Sequence, residues 1–377
     1  MQVNIKTLTP LWTGGVEAGK CDRIHETGIL GSLRWWMEVL VRGMGGNVCD
    51  PTEQKCLYNP EKPNYGLCDV CQIFGATGWK RRFRLEVQEI RVSDASVQHP
   101  MTANRTYTDS QGKQKTPTWY FPNPPNFGSF TVHIRSLHPN FKPEIIGGLI
   151  QFIADWSALG ARPQMGFGVI EVEGNSINTQ PLYDWLVTTA GSHTYSDLPS
   201  LQNIFLAKIR HKDSKSSFNE EDTFNLKYKL WQLFRTEEAI KTEEKKIPVK
   251  SGHKDLILKK DRKNCNISKG DNGKDLRHFI MGTVKGDRRA AKIKISRAYN
   301  SDKLMRVWGW IPEEEECYKN GWNREKIVDK IYQHLKTNYT LHDWLEMNSA
   351  RDTVMKNQTK AEEFLHSLRQ SPESSHD

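Results

Sequence analysis

Six apolar patterns follow one another in the first half of this chain, in an order that few folds can satisfy. Val3, Ile5 and Leu8 alternate ahead of the turn "TPLWTGG", which predicts an opening strand. In "TGILGSLRWWMEVLVRGMGG" the residues Ile29, Leu30, Leu33, Trp36, Met37, Leu40, Val41 and Met44 recur at helical spacing until Gly45 and Gly46 end the run. Arg34, Glu38 and Arg42 fall on the opposite, polar face of that helix. Phe83, Leu85 and Val87 alternate with polar residues in "RFRLEVQEI", and "SFTVHIRSL" alternates likewise. "PEIIGGLIQFIADWSALG" reads as a second helix with Pro143 near its start and Gly160 at its end, and "GVIEVEG" closes the unit as a strand. Strand, helix, strand, strand, helix, strand is the split ferredoxin-like order, whose sheet can leave one face open to a ligand.

The second half repeats this order more loosely: a strand "NIFLAKI", a helix "FNLKYKLWQLFR", a strand pair and a late helix "REKIVDKIYQHLK". One spacing argues for duplication. Gly75 is followed at the sixth and seventh positions by Arg81 and Arg82, and Gly282 at the same offsets by Arg288 and Arg289. Both pairs lead into a strand, so each turn would deliver two guanidinium groups to a sheet edge. The expectation is an α+β fold of two ferredoxin-like, RRM-like βαββαβ domains with inserted loops, residues 1–195 and 196–377. A chain of 377 residues is long enough for each domain to bury a core of its own. Three segments interrupt the pattern: His99 to Phe127, too long for a plain connection; a basic insertion from Lys245 to Asp275; and a tail after Gln370, expected to be disordered.

The formal charge is +9, and the basic residues come in runs that alternate with aromatic ones, the footprint of a nucleic-acid binder. "MQVNIKTLTP" lacks the apolar stretch of a secretion signal and no run approaches a membrane span, so a cytoplasmic protein with no membrane partner is expected. Seven cysteines, an odd number, then speak for metal ligands or buried thiols over a disulfide framework.

Cys68 and Cys71 form a CxxC, with Cys49 and Cys56 just upstream in a Pro- and Asn-rich loop. Four thiols in one insertion suit a tetrahedral structural zinc, or else one reactive pair beside two incidental cysteines. Lys80, Arg81, Arg82 and Arg84 read either as phosphate contacts or as a solvated strand edge. Arg162 and Gln164 lie between Gly160 and the Gly166-Phe167-Gly168 turn, where backbone amides can approach a phosphate. Tyr107, Trp119, Tyr120 and Phe121 in the long loop could stack bases or pin the loop to its own domain. "GKCDRIHETG" places Lys20, Asp22, Arg23, His25 and Glu26 ahead of the first helix. A general base for a ribose 2′-OH is one reading; the other has Thr27 or Glu26 capping the helix while Arg23 and His25 touch phosphate.

"LTPLWTGG", "GILGSLRWWMEVLVRGMGG", "CDVCQIFGATGWKRRFRLEV", "GARPQMGFGVIEV", "RAAKIKISRAY" and "MRVWGWIP" resemble the first subunits of the Cmr complex, RAMP-superfamily components of the type III-B CRISPR RNA-guided effector. The run from SLRWW to FGATGW carries most of the likeness, and the second half matches loosely. The resemblance implies two ferredoxin-like units at the end of a filament of other RAMP subunits, near the 3′ end of the guide RNA, where the protein helps to capture target RNA. It also implies a binder without chemistry of its own. Arg34 and Trp35 match the family's basic-aromatic helix start, Arg162 and Gln164 its glycine-rich loop, and Lys80, Arg81, Arg82 and Arg84 its basic strand; Arg288 and Arg289 follow by the repeat. Asp22 stands roughly where the cleaving backbone subunits carry an aspartate, but "KCDRIHE" departs from their pattern. Two other readings stay open: a metal-independent endoribonuclease of the same superfamily acting through His25 or Asp22, and a zinc-stabilised scaffold that contacts only proteins.

Overall fold

The structure, a computed structural model, describes residues 1–50, 56–97, 100–103, 106–108, 111–121, 123–234, 274–283, 288–313, 318 and 322–369. Nearly all of the basic insertion, the tail, Cys265 and Cys317 lie outside the described residues. Among the described residues no helix is long and apolar enough to cross a membrane.

The protein is a mixed α/β structure built on two antiparallel four-stranded sheets. The first runs β1 (Gln2–Thr7), α1 (Glu26–Gly43), β2 (Phe83–Asp94), β3 (Asn126–Ser136), α2 (Glu144–Trp156) and β4 (Ile170–Val172), with strand order β2-β3-β1-β4. The second runs β5 (Ile204–Arg210), α3 (Asp222–Leu233), β6 (Ile293–Ile295), β7 (Met305–Trp310), α4 (Arg324–Asn338) and β8 (Thr340–Leu345), in the equivalent order β6-β7-β5-β8. Helices Asp69–Phe74, Gln180–Thr188, Lys274–Met281 and Ala361–Ser367 are additions to this plan.

Alternation along each strand decides which side chains go inside. Val3 and Ile5 pair with Val132 and Phe130 and turn into the core with Phe83 and Leu85, under α1 and α2. Asn4, Lys6, His133 and Arg84 occupy the other, polar face of that sheet, where Thr131 donates to Asn4 Oδ1 at 2.9 Å. The second sheet has no such free face. Phe205, Ala207 and Ile209 pack under α3 and α4, whereas Ile204, Leu206, Trp308 and Leu345 join the core of the first half. Helices α1 and α2 are therefore sandwiched between the two sheets, and the largest core spans both halves of the chain.

This stacking places cations where alternation alone would put solvent. Lys208 is 1% exposed, with Nζ 3.9 Å from Asp343 Oδ2 and 4.5 Å from the centre of the Trp156 ring. Arg306 donates from Nη1 to Ser157 O at 2.9 Å and from Nε to the Tyr299 hydroxyl at 3.0 Å. On α1, Glu38 and Arg42 are 6% and 3% exposed, so the polar face read from the sequence is a buried network. Arg34 Nε and Arg42 Nη2 reach the two Glu38 oxygens at 3.0 and 3.4 Å, the geometry of a solvated i,i+4 series made inward-facing by what covers it.

The repeat is present with a shifted register. Gly75 and Gly282 both take positive φ, and Ile73 O and Ile280 O accept from Arg82 N and Lys292 N. Bridges Ala76–Trp79 and Thr283–Arg289 close the two turns, so the second connection is three residues longer. Arg289 thus corresponds to Trp79, and the residue equivalent to Arg82 is Lys292, whose ammonium lies 3.8 Å from the Phe279 ring.

Candidate nucleic-acid interface and cysteine cluster

The loop from Gly160 to Gly168 sits at the seam between the halves. Arg162 adopts the left-handed conformation and starts a short 3-10 turn, Pro163–Met165. Gly166, with φ +86°, lets the chains meet: its carbonyl accepts from Arg297 N, and a Cβ there would lie 2.6 Å from that nitrogen. Side chains from both halves converge on the loop. The Arg162 guanidinium lies 3.6 Å above the Trp12 ring, Lys227 Nζ donates to Gln164 O at 3.2 Å, and Arg297 lies 5.4 Å from the Phe167 ring. Arg297 is 6% exposed; Nη1 meets Glu220 at 3.0 Å, but Nε and Nη2 have no hydrogen-bond partner. Burial lowers both arginines' pKa values and pushes Lys227 down to about 8. Lys294, at the same seam and 5.4 Å from the Trp35 ring, is pushed down to about 7 by burial and by Lys292. Buried cations with depressed pKa values, among which Glu220 pairs with Arg297, are the kind of group that an anion stabilises.

The long loop folds over this seam. Trp119 stacks on Phe224 at 4.3 Å and lies 5.3 Å from Lys227 Nζ, while Phe121 packs on Phe167 at 5.7 Å, with Arg297 5.6 Å away. These two rings pin the loop, as one reading of the sequence expected, but Trp119 does so against the other half. Tyr107 and Tyr120 are exposed.

The remaining expected contacts are dispersed. Arg81 folds back to Phe83 O at 2.8 Å and Arg84 pairs with Glu86 at 2.9 Å, on the strand edge opposite Arg135. Lys80 and Arg288 are exposed. Lys20, Arg23 and His25 each face a carboxylate: Glu17 at 2.5 Å, Glu26 at 3.1 Å and Asp22 at 2.9 Å. The His25 contact, first among its causes, holds the exposed Asp22 carboxyl below its usual range. Neither Thr27 nor Glu26 caps α1. His25 is the extended N-cap residue and makes no side-chain cap, while Glu26 accepts from Val87 N at 3.3 Å and ties the helix start to β2. Lys227, Lys294 and Arg297 escaped the sequence reading. Lys227 on α3 and Lys294 on β6 look like ordinary alternation, and Arg297 lies two residues past the end of β6.

The four cysteines are brought together. The sulfurs of Cys49, Cys56, Cys68 and Cys71 all lie within 4.8 Å of one another, and Cys49 Sγ is 3.6 Å from Cys71 Sγ. A tetrahedral zinc with bonds of about 2.3 Å needs sulfurs about 3.8 Å apart, so the set fits with small adjustments. The surroundings fit thiolates as well: Cys71 N–H donates to Cys68 Sγ at 3.4 Å, Cys68 N–H to Cys56 Sγ at 3.3 Å, and Arg34 Nη2 to Cys71 Sγ at 3.0 Å. Hydrogen bonds from Cys68 and Cys71 push the Cys49 thiol down to about 4, and the same bond to Cys49 pushes Cys71 up. Arg34, expected at the RNA, instead reaches these sulfurs, and Gly75 O at 3.1 Å.

Residues 4–171 match the sequence model of the RAMP superfamily. No curated protein matches the sequence. Among solved structures, the chain is similar to apo Cmr1 from Pyrococcus furiosus, with 13% identity over 90% of this chain and 93% of that one, and a TM-score of 0.41. It is also similar to a chain of the type III-B Cmr-beta complex bound to cognate target RNA and AMPPnP, with 13% identity, 89% and 99% coverage and a TM-score of 0.37. A third match, from Cmr-beta bound to cognate target RNA, has 12% identity, 82% and 94% coverage and a TM-score of 0.38.

Proposed function

We propose, from the match of residues 4–171 to the RAMP superfamily, an RNA-binding subunit of a type III-B CRISPR effector, acting in the cytoplasm near the guide RNA 3′ end and helping to capture target RNA. It performs no catalysis of its own. Its two βαββαβ units, residues 1–195 and 196–377, are ferredoxin-like, its partners are guide RNA, target RNA and other RAMP subunits, and zinc held by Cys49, Cys56, Cys68 and Cys71 clips the loop beside α1. The observation that carries the reading is the convergence of Arg162, Lys227 and Arg297 on the glycine-rich loop, with Lys294 at the same seam. Phosphates passing there would complete hydrogen bonds that Arg297 lacks. Lys80 and Arg84 would extend the track along the β2 edge. Such contacts give affinity without reading sequence.

Purified protein incubated with end-labelled single-stranded RNA across a salt series, on native and denaturing gels, tests this reading. Complexes that weaken with salt while the RNA stays intact are the expected result. Cleavage that disappears in Asp22→Ala or His25→Ala would replace it with the ribonuclease reading, for which the 2.9 Å His25–Asp22 contact is the supporting observation. Absence of binding and cleavage would favour the protein-only scaffold.

Affinity should also depend on pH. Lys227 titrates at about 8 in the free protein, and a bound phosphate favours its charged form, so binding takes up a proton above that pH. RNA affinity is expected to fall by up to about tenfold per pH unit above 8, and Lys227→Arg, whose charge persists, should flatten the profile.

A further inference from the structure

The cysteine-clipped loop carries an aromatic group that the seam does not use. Tyr58, Tyr65 and Trp79 form a near-parallel trio: Tyr58–Trp79 at 5.5 Å and 26°, Tyr65–Trp79 at 5.2 Å and 23°, Tyr58–Tyr65 at 5.9 Å and 32°. Trp79 is held from behind, since its indole N–H donates to Gln72 O at 3.0 Å and its backbone bridges Ala76. Tyr65 is the outermost ring, 45% exposed, with Leu57 also exposed in this loop.

The backbone beneath Tyr65 is unusual. Asn64, Tyr65 and Gly66 have φ of +49°, +57° and +71°, three left-handed residues in succession. For a bulky side chain that conformation is a true outlier, kept only where neighbours enforce it. Here Tyr65 N–H donates to Lys62 O at 2.9 Å and Tyr65 O accepts from Asn59 N at 2.8 Å. These bonds fix the turn that carries the half-exposed Tyr65 ring against Trp79.

Charge points to the occupant. The Arg82 guanidinium lies 5.9 Å from the Trp79 ring, and its Nε is buried without a hydrogen-bond partner. Lys62 and Lys80 are exposed in the same loop, where, among the described residues, Glu61 is the exposed acid and the half-buried Asp69 carboxylate accepts from Asn47 N. Stacked rings rimmed by cations suit a nucleobase with its phosphate, and suit an acidic or apolar protein segment less well.

Building on the RNA-binding reading above, we infer that Tyr58, Tyr65 and Trp79 form a stacking site for an unpaired base of single-stranded RNA, with Arg82 and Lys80 placed for its phosphate. The site is distinct from the seam and accepts any base, because every base has a π face.

Full-length protein is titrated with a uridine-rich oligonucleotide containing 4-thiouridine, and crosslinked residues are mapped by mass spectrometry. Crosslinks at Tyr65 or Tyr58 are expected. Tyr65→Leu keeps apolar packing but removes the stacking face, and should weaken binding about 5- to 100-fold with the salt slope unchanged; Tyr65→Phe should bind as the parent does. Crosslinks elsewhere, or full affinity in Tyr65→Leu with an unchanged melting temperature, would overturn the stacking site. If Arg162→Gln still weakens binding in that case, RNA binding at the seam stands and the trio is a small core of its own loop. A parent protein with no RNA affinity would sink both readings together.

Discussion

Stripping the metal from the cysteine cluster is expected to lower the melting temperature by about 5–10 °C and to open residues 49–79 to proteolysis. The purified protein should carry one zinc per chain, lost in Cys68→Ser. Little else holds this insertion. Its apolar contribution to the main core comes largely from the short helix Asp69–Phe74, whose N-cap is Cys68 itself. The same sulfurs receive Arg34, which also neutralises Glu38 in the buried network with Arg42. Losing the thiolates takes one partner from Arg34, which keeps Glu38 Oε1 at 3.0 Å and Gly75 O at 3.1 Å, so the buried charge network itself stays paired. A structural zinc in a free peptide contributes about 10–16 kcal/mol. Much of that would be confined to refolding the loop, and the remainder sets the shift in melting temperature. Cys21→Ser is the control, since Cys21 lies elsewhere and its sulfur donates to Asn126 Oδ1. Metal-free protein with an unchanged melting temperature would reduce the cluster to four neighbouring thiols.

The second large effect is expected at the seam. Neutralising Arg162 and Lys227 together, as Gln at both positions, should reduce affinity for single-stranded RNA about 10- to 100-fold. It should also reduce the slope of log affinity against log salt by about 1.4, since each phosphate contact on a single strand accounts for about 0.7. The same pair of changes at Lys80 and Arg84 should matter less. Arg84 already has Glu86 at 2.9 Å, so a phosphate there replaces an existing partner and the net gain from an exposed contact is small. Equal losses at both places would mean that the strand edge is as much a part of the phosphate path as the seam. An unchanged slope in the seam variant would remove the seam from the path.

β1 to β4 and their two helices were legible because one face of each is apolar at a clean period. β8 was not: it follows α4 directly at Thr340, and its alternation is broken by a bulge between Leu341 and Asp343. The four cysteines were legible as a set, since thiol spacing is a local property. The partners of Arg34 were not, because Glu38 and Arg42 one and two turns along have the spacing of any solvated charge series.

Composition, period and spacing thus determined the strand and helix order of the first half, that of the second as far as α4, the cysteine cluster and the basic character of the protein, all of which depend on residues near one another in the chain. Tertiary structure alone decided that the second sheet lies against α1 and α2, and hence that Lys208, Arg306 and Lys294 face protein. It also decided that Trp119 crosses to Phe224. The physical reason is that alternation says which side chains share a face of a strand, but what covers that face is set by elements more than a hundred residues away. A charged residue on a covered face and one in water leave the same letters in the sequence.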